Sequence, residues 1–393
     1  MSILFTPIKI RNLELPNRFV RSATADRYSD ADGYVTEQKI TLYSRLAEGG
    51  VGLIISGITA VHPMGKSLSS QISISGDAYI PGLKRLTGAV HERGTKIALQ
   101  LFHAGREAAG LRNAMNEDAL APSLVESDPH FKGKHRAMTE PEIWEVIRAY
   151  GDAARRGREA GFDAVQLHGA HAFLPSQFLS PFTNRREDQW GGSPENRLRF
   201  HREVYLDIRR KAGDDYPVMI KLGVQDVLDG GLQFSEGLQA AKKMAEWGYD
   251  ALEISQGLRG AEFEGTEFRT GIDSLEKEGY FRDWCKEVKR NLPIPVMMVG
   301  GLRSFELMEK IVEKGEADFI ALARPLIREP GIINEWKSGS RRRSACVSCN
   351  KCLELIRKKG VLQCALASGQ GAKDTTFASR QGAKDAKGHP RKG

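Results

Sequence analysis

Ala160-Gly161-Phe162-Asp163-Ala164-Val165-Gln166-Leu167-His168-Gly169 closes an amphipathic segment, stops it at a glycine and enters a short apolar run. The joint recurs as Trp247-Gly248-Tyr249-Asp250 and as Lys314-Gly315-Glu316-Ala317-Asp318, and Glu48-Gly49-Gly50 does the same job before Val51. Glycine at such a point ends a helix. Eight short apolar runs occur in all, at residues 19–24, 51–58, 96–102, 163–169, 218–223, 251–257, 295–301 and 319–324. They lack polar alternation and read as strands buried on both faces. Amphipathic segments lie between most of them, at 140–160, 196–212, 236–247 and 304–314, and Pro141 after Thr139 and Glu140 marks a helix start. Repeated βα units make a parallel sheet, and eight of them point to an α/β fold of the (β/α)8 TIM barrel type. An open doubly wound sheet is the alternative. It is weakened because no strand runs into G-x-G-x-x-G.

The 393 residues are 40% hydrophobic and 27% charged, enough apolar material for a sizeable core. The longest apolar run, residues 51–61, falls short of the about 20 residues that a membrane crossing needs. Lys9 and Arg11 interrupt the N-terminus, so no signal peptide is visible and a cytoplasmic protein is expected. Of 58 Lys and Arg and 50 Asp and Glu, 13 bases and 3 acids stand from Arg341 onward, leaving 45 against 47 before it. The net charge of +8 therefore belongs to the C-terminal segment, and nothing indicates nucleic-acid binding by the body. Residues 367–374 nearly repeat as 378–385, and this small-residue segment reads as a disordered basic tail.

In a barrel, ligands bind where strands end at their C-termini. The stretches 106–141 and 178–199 read as long loops on that face. His168 and His171 end the fourth strand, and two imidazoles there can stabilise negative charge on one oxygen. Lys221 lies inside an apolar strand, where it could face a flavin, form a Schiff base as in an aldolase, or snorkel to the surface. Gly300-Gly301 and Ala323-Arg324 suggest a phosphate site, with close backbone approach plus a cation. Cys346-x2-Cys349-x2-Cys352-x11-Cys364 has metal-like spacing and suits an iron–sulfur cluster, zinc, or the remnant of a lost site. Cys285 stands alone and reads as core packing.

Leu15-Pro-Asn-Arg18, Gln100-Leu-Phe-His-Ala-Gly-Arg106, His168-Gly-Ala-His171, and Gln177-Phe-Leu-Ser-Pro-Phe-Thr-Asn-Arg-Arg186 running into Gly191-Gly-Ser-Pro-Glu-Asn-Arg197 resemble the Old Yellow Enzyme family of FMN-dependent NAD(P)H:flavin oxidoreductases. The resemblance spans Pro7 to Cys364. It implies an FMN-binding barrel over residues 1–340, a cysteine-bearing extension over 341–366 and a tail over 367–393. Ser22, Ala23, Thr24, Ala25, Gly57 and Ile58 would line the flavin rings and Gln100 their pyrimidine edge. Lys221 would sit near N1, while Gly300, Gly301, Ala323 and Arg324 would hold the phosphate. His168 and His171 would bind the substrate oxygen in a ping-pong reaction, with NADH or NADPH as reductant and an enone or enoate as acceptor. Phe173 stands where many ene reductases carry a proton-donating Tyr, so Tyr28 or water is the expected substitute. Ala25 replaces the Cys or Thr often found near N5.

The cysteine segment is similar to the cluster segment of 2,4-dienoyl-CoA reductase and trimethylamine dehydrogenase, which implies a [4Fe-4S] site on Cys346, Cys349, Cys352 and Cys364. Its electrons would need an external electron-transfer protein. The alternative function is therefore an FMN/[4Fe-4S] dehydrogenase or demethylase of an amine. A Schiff-base aldolase using Lys221 and a flavin-binding protein without turnover are the further readings. The oligomeric state, including a homo-oligomer, stays open.

Overall fold

The computed structural model describes residues 2–126, 128, 131–260, 265–360 and 362–367. Eight barrel strands follow in chain order: β1 (Phe19–Arg21), β2 (Leu53–Ile55), β3 (Lys96–Phe102), β4 (Ala164–Gly169), β5 (Val218–Gly223), β6 (Ala251–Ser255), β7 (Val296–Met298) and β8 (Phe319–Leu322). Each pairs in parallel with the next, and β8 pairs back onto β1, so the sheet closes into a (β/α)8 barrel. The outer helices are α1 (Glu37–Glu48), α2 (Ile80–His91), α3 (Glu140–Glu159), α4 (Pro194–Ala212), α5 (Phe234–Trp247), α6 (Arg282–Asn291), α7 (Phe305–Glu313) and α8 (Ile332–Lys337). Every strand lies within the run expected for it.

The Gly-to-Asp joints do more than stop helices. Gly161, Gly248 and Gly315 adopt φ of 84°, 102° and 65°, a left-handed turn that favours glycine. The Asp that follows each one then receives the first free N–H of the preceding strand. Ile97 donates to Asp163, Val218 to Asp250 and Val296 to Asp318, each at 2.8 Å. One short sequence element thus ends a helix and sets the register of two neighbouring strands.

Inside the barrel, Val20, Ile55, Ala98, Ala164, Met219, Ala251, Met297 and Phe319 fill the lower layer. Ile10, Leu13 and Leu15, from a two-stranded hairpin, pack against that layer. Strand side chains alternate faces. Two residues further along each strand, the inward parity therefore falls on Ser22, Gln100, Gln166, Lys221 and Glu253, all buried. The barrel has an apolar floor and a polar upper layer.

Three expectations change. Residues 106–141 are not plain loop: they include a helix, Ala109–Asn113, and paired strands Ala119–Ala121 and His135–Ala137. Asn113 clasps Lys134 through bonds of 3.0 and 2.8 Å, a contact too far apart in sequence to read as a pattern. The loop of 178–199 is shorter, because Leu174–Leu179 is helical and α4 starts at Pro194, with Ser193 accepting from Asn196 N–H. The basic excess is not all solvated. Arg342 pairs with Glu329 and Glu335, Arg343 with Glu278 at 2.6 Å, and Arg341 lies over the Phe305 ring. Residues 368–393, where the disordered tail was expected, lie outside the described residues. Among the described residues no helix is long and apolar enough to cross a membrane.

Gly237 inside α5 touches the neighbouring backbone, and a Cβ there would come 1.9 Å from the Val224 carbonyl oxygen. Gly→Ala in a helix interior normally gains up to about 1 kcal/mol. Here G237A is expected to lose roughly 2 kcal/mol or more, read from urea unfolding. His201 is fully buried, and that burial lowers its pKa to about 3. The unfolded chain takes up this proton near pH 6.5 and the folded chain only near 3. This residue's stabilisation is therefore whole above 6.5 and is lost as pH falls toward 3. H201F is expected to show a shallower drop in Tm between pH 7 and 4 than the parent chain.

Candidate active site

At the C-terminal mouth one cavity of about 1310 Å³, counting space open to solvent, is lined from β1, β3, β4, β5, β6, β7 and β8 and the loops that follow. Its polar wall is the upper barrel layer. Lys221 faces Glu253 directly across the β5–β6 register, with Nζ 2.8 Å from Oε1. Lys221 also donates to Ser22 Oγ at 2.9 Å, and Ser22 donates to Glu253 at 2.6 Å. Gln166 donates to Glu253 Oε2 at 2.9 Å, and Gln100 donates to Gln166 Oε1 at 2.7 Å. Two of the three Lys221 N–H groups are thereby spent, and one is left for a ligand. A buried charge persists when paired and hydrogen-bonded, and Lys221 is both.

His168 and His171 stand edge to face with ring centres 4.9 Å apart. His171 and Ala172 both hold positive φ, 59° and 64°, and their N–H groups bond to the Gln256 and Gly257 carbonyls beyond β6. The β4–α4 connection is thereby held in a conformation that non-glycine residues resist. His171 Nε2 lies 2.8 Å from Ser255 Oγ, and its Nδ1 is 3.7 Å from Glu267. Burial, then the charges of Lys221 and Arg259, hold both imidazoles well below the ordinary histidine value, with His171 adding to the effect on His168. Both are neutral at neutral pH, and each keeps one N–H donor. Phe173 packs its edge on His168 at 4.8 Å, and Arg259, paired with Glu267 at 2.8 Å, lies over its face.

At the far end, Gly300 and Gly301 hold φ of 131° and 71°, and a Cβ on either would press on the Tyr280 ring at about 3 Å. Arg324 beside them donates to Asn350 Oδ1 and to the Arg269 carbonyl, both at 2.7 Å. The cavity thus joins Ser22, Ala23, Thr24, Ala25, Ile58, Gln100, His168, His171, Lys221, Gly300, Gly301, Ala323 and Arg324. Two expected residues lie apart from it. Gly57 spends its N–H on Tyr43 Oη at 2.7 Å. Tyr28 is 9% exposed, packs with Ile356 and Leu362, and its hydroxyl accepts from Leu362 N–H at 2.9 Å, so it anchors the C-terminal segment. Cys352 lines the large cavity, and Cys346, Cys349, Cys352 and Cys364 all line a small one beside it. Among the described residues no three His, Cys, Asp or Glu converge as ligands of one metal ion.

Residues 3–342 match the model of the NADH:flavin oxidoreductase / NADH oxidase family. The chain belongs to that family. It is 37% identical to an NADH oxidase of Thermoanaerobacter brockii, over 88% of this chain and 52% of the relative. It is 34% identical to an NADPH dehydrogenase of Bacillus subtilis, over 83% and 92%. The structure matches that of a 2-naphthoyl-CoA reductase bound to 2-naphthoyl-CoA with a TM-score of 0.81 and 28% identity, covering 88% of this chain and 54% of that one. The chain spans about half the length of the NADH oxidase and of the naphthoyl-CoA reductase.

The segment most telling of the family in sequence builds scaffold here. Gln177 accepts from Arg106 N–H and donates to the Ala104 and Ala172 carbonyls, and a Cβ on Gly105 would collide with it at 2.2 Å. Arg197 donates to the Leu179 and Gly192 carbonyls and pairs with Glu236. Sequence reasoning missed Glu253, Gln166, Arg259 and Glu267. For Glu253 a signal existed: it interrupts an apolar strand just as Lys221 does. K221M leaves Glu253 buried without its cation and is expected to cost about 3–5 kcal/mol in urea unfolding. K221M/E253Q is expected to recover most of that loss.

Proposed function

We propose that this protein binds FMN across the barrel mouth and reduces an activated alkene, an enone or enoate, with NADH or NADPH as the electron source. One observation carries the reading: a single cavity runs from two neutral histidines, past Lys221 and Gln100, to the Gly300-Gly301 and Arg324 corner. The buried Gln100 Oε1 has no partner within the chain, as an acceptor awaiting a ring N–H would. The glycine pair leaves backbone N–H groups open to a phosphate, with Arg324 as its cation. These residues fit FMN, which when bound supplies a ring that accepts and passes on a hydride.

The remaining Lys221 N–H and the Gln100 acceptor orient the pyrimidine edge. His168 and His171, neutral, each offer one N–H to the substrate oxygen that gains negative charge. Phe173 gives no proton and Tyr28 does not line the cavity, so water entering through the mouth supplies the proton to the α-carbon. The names of the NADH oxidase and the NADPH dehydrogenase support a nicotinamide reductant. The naphthoyl-CoA reductase supports a conjugated carbonyl acceptor.

The ring of cysteines favours a second reading beside this one. A [4Fe-4S] cluster binds each thiolate to a separate iron, so its ligands surround a space and do not meet at a point. Four cysteines around one small cavity, with Arg324 and Arg328 also lining it, support such a cluster and an external electron-transfer partner. The donor would then be an amine undergoing dehydrogenation.

Protein purified without oxygen is expected to show flavin bands that NADH or NADPH bleaches. About four irons and a shoulder near 420 nm would add the cluster. A colourless chain that takes up no FMN would overturn the proposal. Because both histidines protonate only far below the ordinary value, enone reduction is expected to show no inflection near pH 6.5 between pH 6 and 8.

A further inference from the structure

The hydrogen-bond chain behind the cavity has a direction. Glu253 is fully buried, and a carboxylate only accepts. It takes Ser22 and Lys221 on Oε1 and the Gln166 amide N–H on Oε2. With its NH2 committed, Gln166 must present its carbonyl to Gln100, and it accepts there from Gln100 Nε2. Gln100, committed in turn, keeps only Oε1, which is buried and without a partner on a residue that lines the cavity. Flipping Gln166 would set its carbonyl against the carboxylate. Flipping Gln100 alone would set two carbonyl oxygens against each other. Either way buried acceptors lose their donors, and an unsatisfied buried polar group is costly.

We propose that Glu253 is a positioning residue that fixes Gln100, through Gln166, as an acceptor, so that this corner of the cavity selects a ring N–H and rejects a ring that lacks one. The inference rests on the FMN reading above. The flavin pyrimidine carries one such N–H, at N3, between two carbonyls. Three strand residues at the same inward parity, Gln100, Gln166 and Glu253, carry this selection.

The test compares binding of FMN and of 3-methyl-FMN to the full chain, stripped of flavin and reconstituted, followed by fluorescence quenching. The parent chain is expected to favour FMN by about tenfold or more, the size of one buried hydrogen bond. In E253Q, where residue 253 can donate as well as accept, that preference should shrink several-fold. Q166L cuts the relay and should shrink it similarly. E253D keeps an acceptor-only carboxylate and should restore it. The methyl group's bulk is common to all variants, so the narrowing reports the relay. Circular dichroism checks folding, and Q166L answers if E253Q does not fold. A preference unchanged in E253Q or Q166L, or absent from the parent chain, would overturn the proposal. A parent chain that binds neither flavin would overturn the FMN reading itself.

Discussion

Closing eight parallel strands into a ring leaves every strand residue only two directions, into the barrel or out to the helices. Everything at the mouth follows from that restriction. The alternation that buries Val20, Ala98, Ala164, Met219 and Ala251 in the floor also sends Ser22, Gln100, Gln166, Lys221 and Glu253 inward one step higher. Polar groups confined to one dry layer must satisfy each other, and they do so around the Lys221–Glu253 pair. The side chains left with spare capacity, Lys221 and Gln100, both reach the cavity.

The loops divide the remaining labour. The segment from Gln177 to Arg197 and the turn at His171 are tied to one another and to the ends of β3 and β6 by backbone carbonyls. That bracing holds His168 and His171 edge to face and dry, which keeps them neutral donors. At the opposite rim the C-terminal segment folds back. Asn350 reaches Arg324 and the Phe268 carbonyl, and Tyr28 holds Leu362, so the cysteine segment forms a wall of the same cavity.

Much of this was legible in sequence for identifiable reasons. Strands and helices announce themselves by local periodicity, and the Gly-to-Asp joints by repetition. His168, His171, Gly300, Gly301 and Arg324 were legible as cavity residues because each stands at the C-terminal end of a strand run, and Lys221 because it is a charge inside an apolar one. That Tyr28 lies apart from the cavity was not legible, because a tyrosine's direction depends on what packs on it, here Ile356 and Leu362, more than 300 positions away. The short paired strands at 119–121 and 135–137 were missed because three residues carry too little pattern.

The sequence by itself determined the barrel, its eight strands and the set of residues that gather at its mouth, because period and punctuation are local properties. The tertiary structure alone decided that Lys221 faces Glu253, that two glutamines point one way, that Gln177 and Arg197 brace while His168 and His171 face the cavity, and that four cysteines share one small space. Those are matters of register and of which buried donor meets which acceptor, and they exist only once distant strands have been brought side by side.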